Sequence, residues 1–286
     1  MIHKIGKGHI SMITLTGFAD EISADLKEQL DCLQSEGIRY LEFRGVWNKN
    51  VLDLTDEELA QVKEMLDERG VQISAIGSPI GKIKITDPFE PHIEKFHRAV
   101  QIAKYFGTRY IRIFSFFIPE NEDPSVYRDE VMRRLKELVK IAEEADVILL
   151  HENEKEIYGD NTERCLDILT TCSSSHLRAA FDPANFVQCG VKPFDQAYAP
   201  LRPHVEYVHI KDALFADGSV TVAGQGDGQV PEVLAALKES GYTGFMSLEP
   251  HLQAAGTFQG FSGPDLFKEA TGGLKKLLSD LNWSWN

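Results

Sequence analysis

Residues 147–154 read VILLHENE, an unbroken apolar run that stops on His151, Glu152, Asn153 and Glu154. A short run of this kind, apolar on both alternating faces, is the pattern of a parallel strand covered on both sides. The same design returns downstream in AAFDPANF (179–186), YVHIKD (207–212) and FMSLEPH (245–251), each again ending on polar residues. Working outward, strands are predicted at Ile13–Phe18, Ile38–Phe43, Val71–Ile76, Tyr110–Phe114, Val147–His151, Arg178–Phe181, Tyr207–Ile210 and Phe245–Leu248. Between them apolar residues recur at three- and four-residue spacing, as with Leu26, Leu30 and Leu33 in Asp25–Ser35, and Leu59, Val62 and Leu66 in Asp56–Arg69. Further helices are predicted over Glu90–Phe106, Pro124–Ala145, Thr162–Cys172, Pro231–Glu239 and Asp265–Leu281.

Local punctuation agrees with this alternation. Gly37, Gly70, Gly107 and Gly241 each follow a helical run and precede a strand, where a left-handed cap is expected. Thr55 with Glu58 reads as a capping box. Eight strands alternating with helices, with no linker of distinct composition, predict an α/β chain folded as a single (β/α)8 TIM barrel. An open doubly wound sheet would want a glycine-rich phosphate turn after its first strand. The sequence there is Ala19-Asp20-Glu21-Ile22-Ser23. Residues 1–12 read as an N-terminal extension and 13–286 as the one barrel domain.

Composition sets outer limits. The 286 residues suit one barrel, and 43% hydrophobic with 26% charged residues is ordinary for a folded, water-exposed chain. Acidic groups outnumber basic ones 44 to 30, and the resulting charge of −14 opposes sequence-independent binding to nucleic acid. The four cysteines form no C-x-x-C pair, which argues against a zinc ribbon and suits a reducing cytoplasm. No apolar run is long enough to span a membrane. The opening MIHKIGKGHISMITLTGF lacks the apolar core and cleavage site of a secretory signal, so a cytoplasmic location is expected.

Barrel active sites lie at the C-terminal ends of the strands. The last four strands each bring a strong metal ligand to that rim: Glu152, Asp182, His209 and Glu249. For Asp182 alone, an Asp-Pro turn or helix cap is an equal reading. Three crowded carboxylates, however, repel one another unless a cation or protons intervene. One divalent ion is therefore expected, Mn²⁺ first for a mostly oxygen donor set, then Mg²⁺, with Zn²⁺ or Co²⁺ kept open by the imidazole. Glu152 and Glu249 would flank a chelated sugar fragment as catalytic groups, one removing a proton and the other returning it through a metal-stabilised enediolate. Opposed bases give epimerisation; return to the neighbouring carbon gives isomerisation.

Around this ring, Lys211 follows His209 by two residues and His251 follows Glu249 by two, so both are candidate substrate-binding groups. Asn185, Glu42 and Trp47 complete that set, although a pairing of Glu42 with Arg44, on the same face of strand two, is the favoured reading over direct chemistry. Phe18 and Phe116 are candidate apolar walls. The glycine-rich GQGDG (224–228) lacks the Lys-Ser/Thr of a phosphate loop and is expected to be a mobile flap, with Gln225 or Asp227 reaching the pocket.

The motifs EISADLKEQLDCLQSEGIRYLEFRG (21–45), HENE, FDPAN, HIKDA, GQGDG and SLEPH, in this order, resemble the sugar phosphate isomerase/epimerase family of the xylose isomerase-like TIM barrel superfamily. The resemblance covers residues 13–280. It implies Glu152, Asp182, His209 and Glu249 as metal ligands and Glu152 with Glu249 as the acid/base pair. A small carbohydrate is the implied substrate, and a homo-oligomer is compatible with the group. Two positions depart from the ketose 3-epimerase pattern: Asn185 stands where those enzymes place a His, and Phe215 where they place an Arg. A lyase acting on a keto-inositol or keto-sugar is the alternative within the superfamily. An endonuclease IV-like barrel would need more strand-end histidines and a basic face.

Overall fold

The computed structural model describes residues 12–252 and 262–286. Residues 1–11 of the expected N-terminal extension lie outside that range. Eight strands form the cylinder: β1 (Met12–Gly17), β2 (Tyr40–Phe43), β3 (Gln72–Ile76), β4 (Tyr110–Ile113), β5 (Ile148–Glu152), β6 (Leu177–Phe181), β7 (Val205–Ile210) and β8 (Phe245–Leu248). Each pairs in parallel with the next from β2 to β8, and β8 pairs with β1. β1 and β2 then pack side by side and close the ring. The expected barrel is what forms. A final pair, Ser284–Trp285, runs parallel to β1 and meets Met12 and Ile13, so Met12 lies within the first strand.

Helices α1 (Leu26–Ser35), α2 (Asp56–Arg69), α3 (Glu90–Phe106), α4 (Arg128–Ala145), α5 (Thr162–Cys172), α6 (Pro183–Gln188), α7 (Val230–Glu239) and α8 (Gly263–Asp280) stand between the strands. The Thr55 box is formed, with both reciprocal hydrogen bonds to Glu58. Gly70 (φ 62°) and Gly107 (φ 75°) supply the left-handed caps of α2 and α3. The expected helix over Pro124–Ala145 divides into a 3-10 turn, Pro124–Tyr127, and α4. Between β6 and β7 the structure adds α6 and an irregular turn at Pro193–Tyr198, both too short to show a helical period in sequence.

Inside the barrel, period-two alternation separates a mainly apolar floor from a charged upper layer. Ala75, Leu150, Ala180 and Tyr207 pack together with Tyr110, Ile148 and Phe245 at the floor. Two residues further along the strands come Glu152, Asp182 and His209, and two beyond Ser247 comes Glu249. The packed floor fixes the height of the polar layer.

Candidate active site and metal centre

Glu152, Asp182, His209 and Glu249 converge as the strand ends dictate, with their ligand atoms all within 4.8 Å of one another. None is more than 3% exposed. His209 Nδ1 lies 3.5 Å from Glu152 Oε1 and 3.9 Å from both Asp182 Oδ2 and Glu249 Oε2. It makes no hydrogen bond of ordinary geometry among the described residues. A buried imidazole nitrogen facing three carboxylates, without a hydrogen bond of its own, fits a divalent cation. Asp182 also caps α6, its Oδ1 accepting from the Asn185 N–H at 2.9 Å. The turn-capping reading of this residue is thus met by Oδ1, while Oδ2 is the oxygen that faces His209 Nδ1.

Three permanent cations hold the ring's charge. Lys211 Nζ is 3.0 Å from Asp182 Oδ2 and 3.0 Å from Glu249 Oε2. Arg112 Nη1 donates to Glu152 Oε2 at 3.2 Å, and Arg44 Nη1 to Glu249 Oε1 at 2.6 Å. Both guanidinium groups lie over the Phe18 ring, at 4.4 Å for Arg44 and 4.9 Å for Arg112, while the same ring meets His209 edge-on. Burial opposes the charged form of every acid here. At Glu249 it is outweighed by Lys211, His251 and Arg44, and at Glu152 by His209 and Arg112, so both carboxyls sit below the usual range. Asp182 moves the other way, because burial and its two acidic neighbours exceed the pull of Lys211.

A cavity of about 230 Å³ opens above the ring; Glu152, Glu249, Lys211 and His251 line it, as expected. Three expected substrate-binding residues are placed elsewhere. Asn185 is buried behind the ring, where its Nδ2 donates to Glu152 Oε1 at 2.9 Å and so steadies that carboxylate. Glu42, fully buried, lies below His209 with its carboxylate 3.3 Å from Nε2. Trp47 is outside the lining, its backbone N–H donating to Ala24 O. Arg44, expected to pair with Glu42, instead engages Asp20, Glu21 and Glu249. His251 is tied to Glu21 at 2.8 Å. Phe116 packs edge-on against Phe89 away from the cavity.

The GQGDG segment is a second correction. Asp212 Oδ2 accepts from the amides of Gly224 (2.8 Å) and Gly226 (3.0 Å), and its Oδ1 from Gly228 (2.8 Å) and Ala213 (2.9 Å). An internal carboxylate fills the amide nest, and Asp227 turns to the Phe215 N–H. Neither Gln225 nor Asp227 lines the cavity. Conversely, Arg112, Lys49 and Lys82 line it unannounced. Arg112 sits inside the YIRI run, two residues past the floor residue Tyr110, and a search confined to strand ends passes it over. The alternation itself would have found it.

Residues 30–277 match the xylose isomerase-like TIM barrel family. The chain belongs to that family. Among curated relatives, a D-psicose 3-epimerase of Enterocloster bolteae is 25% identical over 249 residues, covering 82% of this chain and 79% of its own. Solved barrels of the same fold include a D-tagatose 3-epimerase-like protein (TM-score 0.75, 19% identity, 94% of this chain and 98% of the other). Another is a probable 3-DHS dehydratase, AsbF, from Bacillus anthracis (TM-score 0.73, 18% identity, 92% and 99%). No helix among the described residues is long and apolar enough to cross a membrane.

Proposed function

We propose that this xylose isomerase-like barrel is a metal-dependent isomerase or epimerase of a small sugar or keto-polyol. The observation that carries the reading is the buried ring of three carboxylates and one imidazole at the cavity floor. A bound divalent ion, Mn²⁺ by preference and Mg²⁺, Zn²⁺ or Co²⁺ as alternatives, would supply charge for the oxyanion that develops when a proton leaves the carbon beside a carbonyl. Glu152, Asp182, His209 and Glu249 would hold it. Glu152 and Glu249 come from non-adjacent strands and both face the cavity. One takes the proton from the substrate carbon and the other delivers one to the opposite face. Lys211 and His251, both lining the cavity, bind substrate oxygens.

The test begins with metal analysis of the purified protein and continues with turnover in D₂O across ketoses, keto-inositols and 3-keto-glycosides. Deuterium at the reacting carbon, with product mass otherwise unchanged, is the expected result. Turnover without label would replace proton transfer by a hydride shift. A dehydratase is the second reading, favoured by Asn185 and Phe215 standing where ketose 3-epimerases place His and Arg. A product lighter by one water would decide for it.

A further inference from the structure

We propose that Glu42 is a positioning residue for the metal ligand His209, fixing which imidazole nitrogen faces the ring; this rests on the metal site proposed above. Glu42 is fully buried at the end of β2, across the barrel interior from β7, and does not reach the cavity. Its two oxygens are each 3.3 Å from His209 Nε2. With the proton on Nε2 and donated to Glu42, the lone pair is on Nδ1, the nitrogen that faces Glu152, Asp182 and Glu249. A carboxylate behind a ligating imidazole orients the ring and raises its donor strength.

Glu42 is itself backed by further polar groups. It faces the buried Tyr207 hydroxyl. That hydroxyl is 2.9 Å from Ser74 Oγ, which is 2.7 Å from Thr16 Oγ1. The line runs from β7 across the core to β3 and β1. It explains why a strand otherwise apolar places a carboxyl at a position without access to substrate. Tyr207 also meets the His209 ring edge-on at 5.8 Å, so the imidazole is held on its flank as well as behind.

The test uses Co²⁺ alone as the probe, with metal-stripped full-length wild type, Glu42→Gln, Glu42→Leu and Ser74→Ala. Affinity is read by calorimetric titration and geometry by the visible absorption of bound Co²⁺. Glutamine keeps a neutral acceptor, so affinity is expected to fall about tenfold in Glu42→Gln and about a hundredfold in Glu42→Leu, with altered absorption. Ser74→Ala, which loosens only the far end of the line, is expected to lower melting temperature while holding affinity within about threefold of wild type, well short of the tenfold and larger losses expected at the ligand's own support. Folded Glu42 variants with wild-type affinity and spectrum would overturn the proposal, and so would a Ser74→Ala loss equal to that of Glu42→Gln. Should Glu42→Leu not fold, Glu42→Gln carries the test alone. Failure of the wild type itself to bind Co²⁺ would strike the metal site, a result separable from the role of Glu42.

Discussion

Lys211 bridges Asp182 and Glu249 at 3.0 Å to each and is only 4% exposed. Removing one member of a buried ion cluster leaves the others uncompensated, at a cost of about 3–5 kcal/mol. Lys211→Met is therefore expected to lower the unfolding free energy of the chelator-treated protein by that order, measured in urea, and saturating Mn²⁺ should recover much of the loss. Unchanged stability would show that the ring is balanced without this ammonium. For chemistry, Glu152→Gln and Glu249→Gln are each expected to reduce kcat by at least about a hundredfold on the substrate that the D₂O screen finds. Away from the site, His92 is buried and accepts from the Gly81 N–H at 2.7 Å, and burial pushes its imidazole down to about 4. Between that value and its ordinary 6.5 the unfolded chain binds a proton that the folded one does not. Stability should thus fall as pH drops through this window, by roughly 3 kcal/mol in all, and rise again toward neutrality. Urea unfolding at pH 7 and pH 4.5 checks this against His92→Gln, in which that component should vanish.

At the level of elements, strand-to-helix junctions carry the strongest constraints. Gly81 has φ of 92°, and a Cβ there would sit 2.0 Å from Phe114 O, so neither the backbone conformation nor the space admits a side chain. Gly81→Ala should separate the β3 loop from β4 and destabilise by more than about 2 kcal/mol, read by urea unfolding. The loop after β7 works by the opposite device, a carboxylate drawn into backbone amides. Asp212→Ala strips the acceptor from Gly224, Gly226, Gly228 and Ala213 together. A cost above about 2 kcal/mol and faster proteolysis within 222–229 are expected. Unaltered cleavage would mean that the loop is held by its flanks. In sequence, GQGDG invited a flap or cradle reading because its glycines are local, while the residue that fills them lies twelve positions earlier.

For the whole molecule, a ligand held only by the assembled barrel must stabilise it. Metal at a hundred times its dissociation constant should add about 2.7 kcal/mol, and removal by chelator should lower the melting temperature by an amount that grows with prior metal concentration. A melting temperature indifferent to both would remove the metal from the site. The eight strands, their order and their polar ends could be read from the sequence, because a parallel strand buried on both faces and a helix with one apolar stripe impose different local periods. Those periods also placed Glu152, Asp182, His209 and Glu249 on one rim. What lies across the barrel from what is set by closure of the sheet, and no local pattern encodes it. Only the tertiary structure put Glu42 behind His209, Arg44 and Arg112 over the Phe18 ring, Asn185 on Glu152 and Asp212 into the glycine amides. Glu42 and His209 stand 167 positions apart and Arg44 and Glu249 205, and they meet because packing the floor fixes how far each strand's next side chain rises.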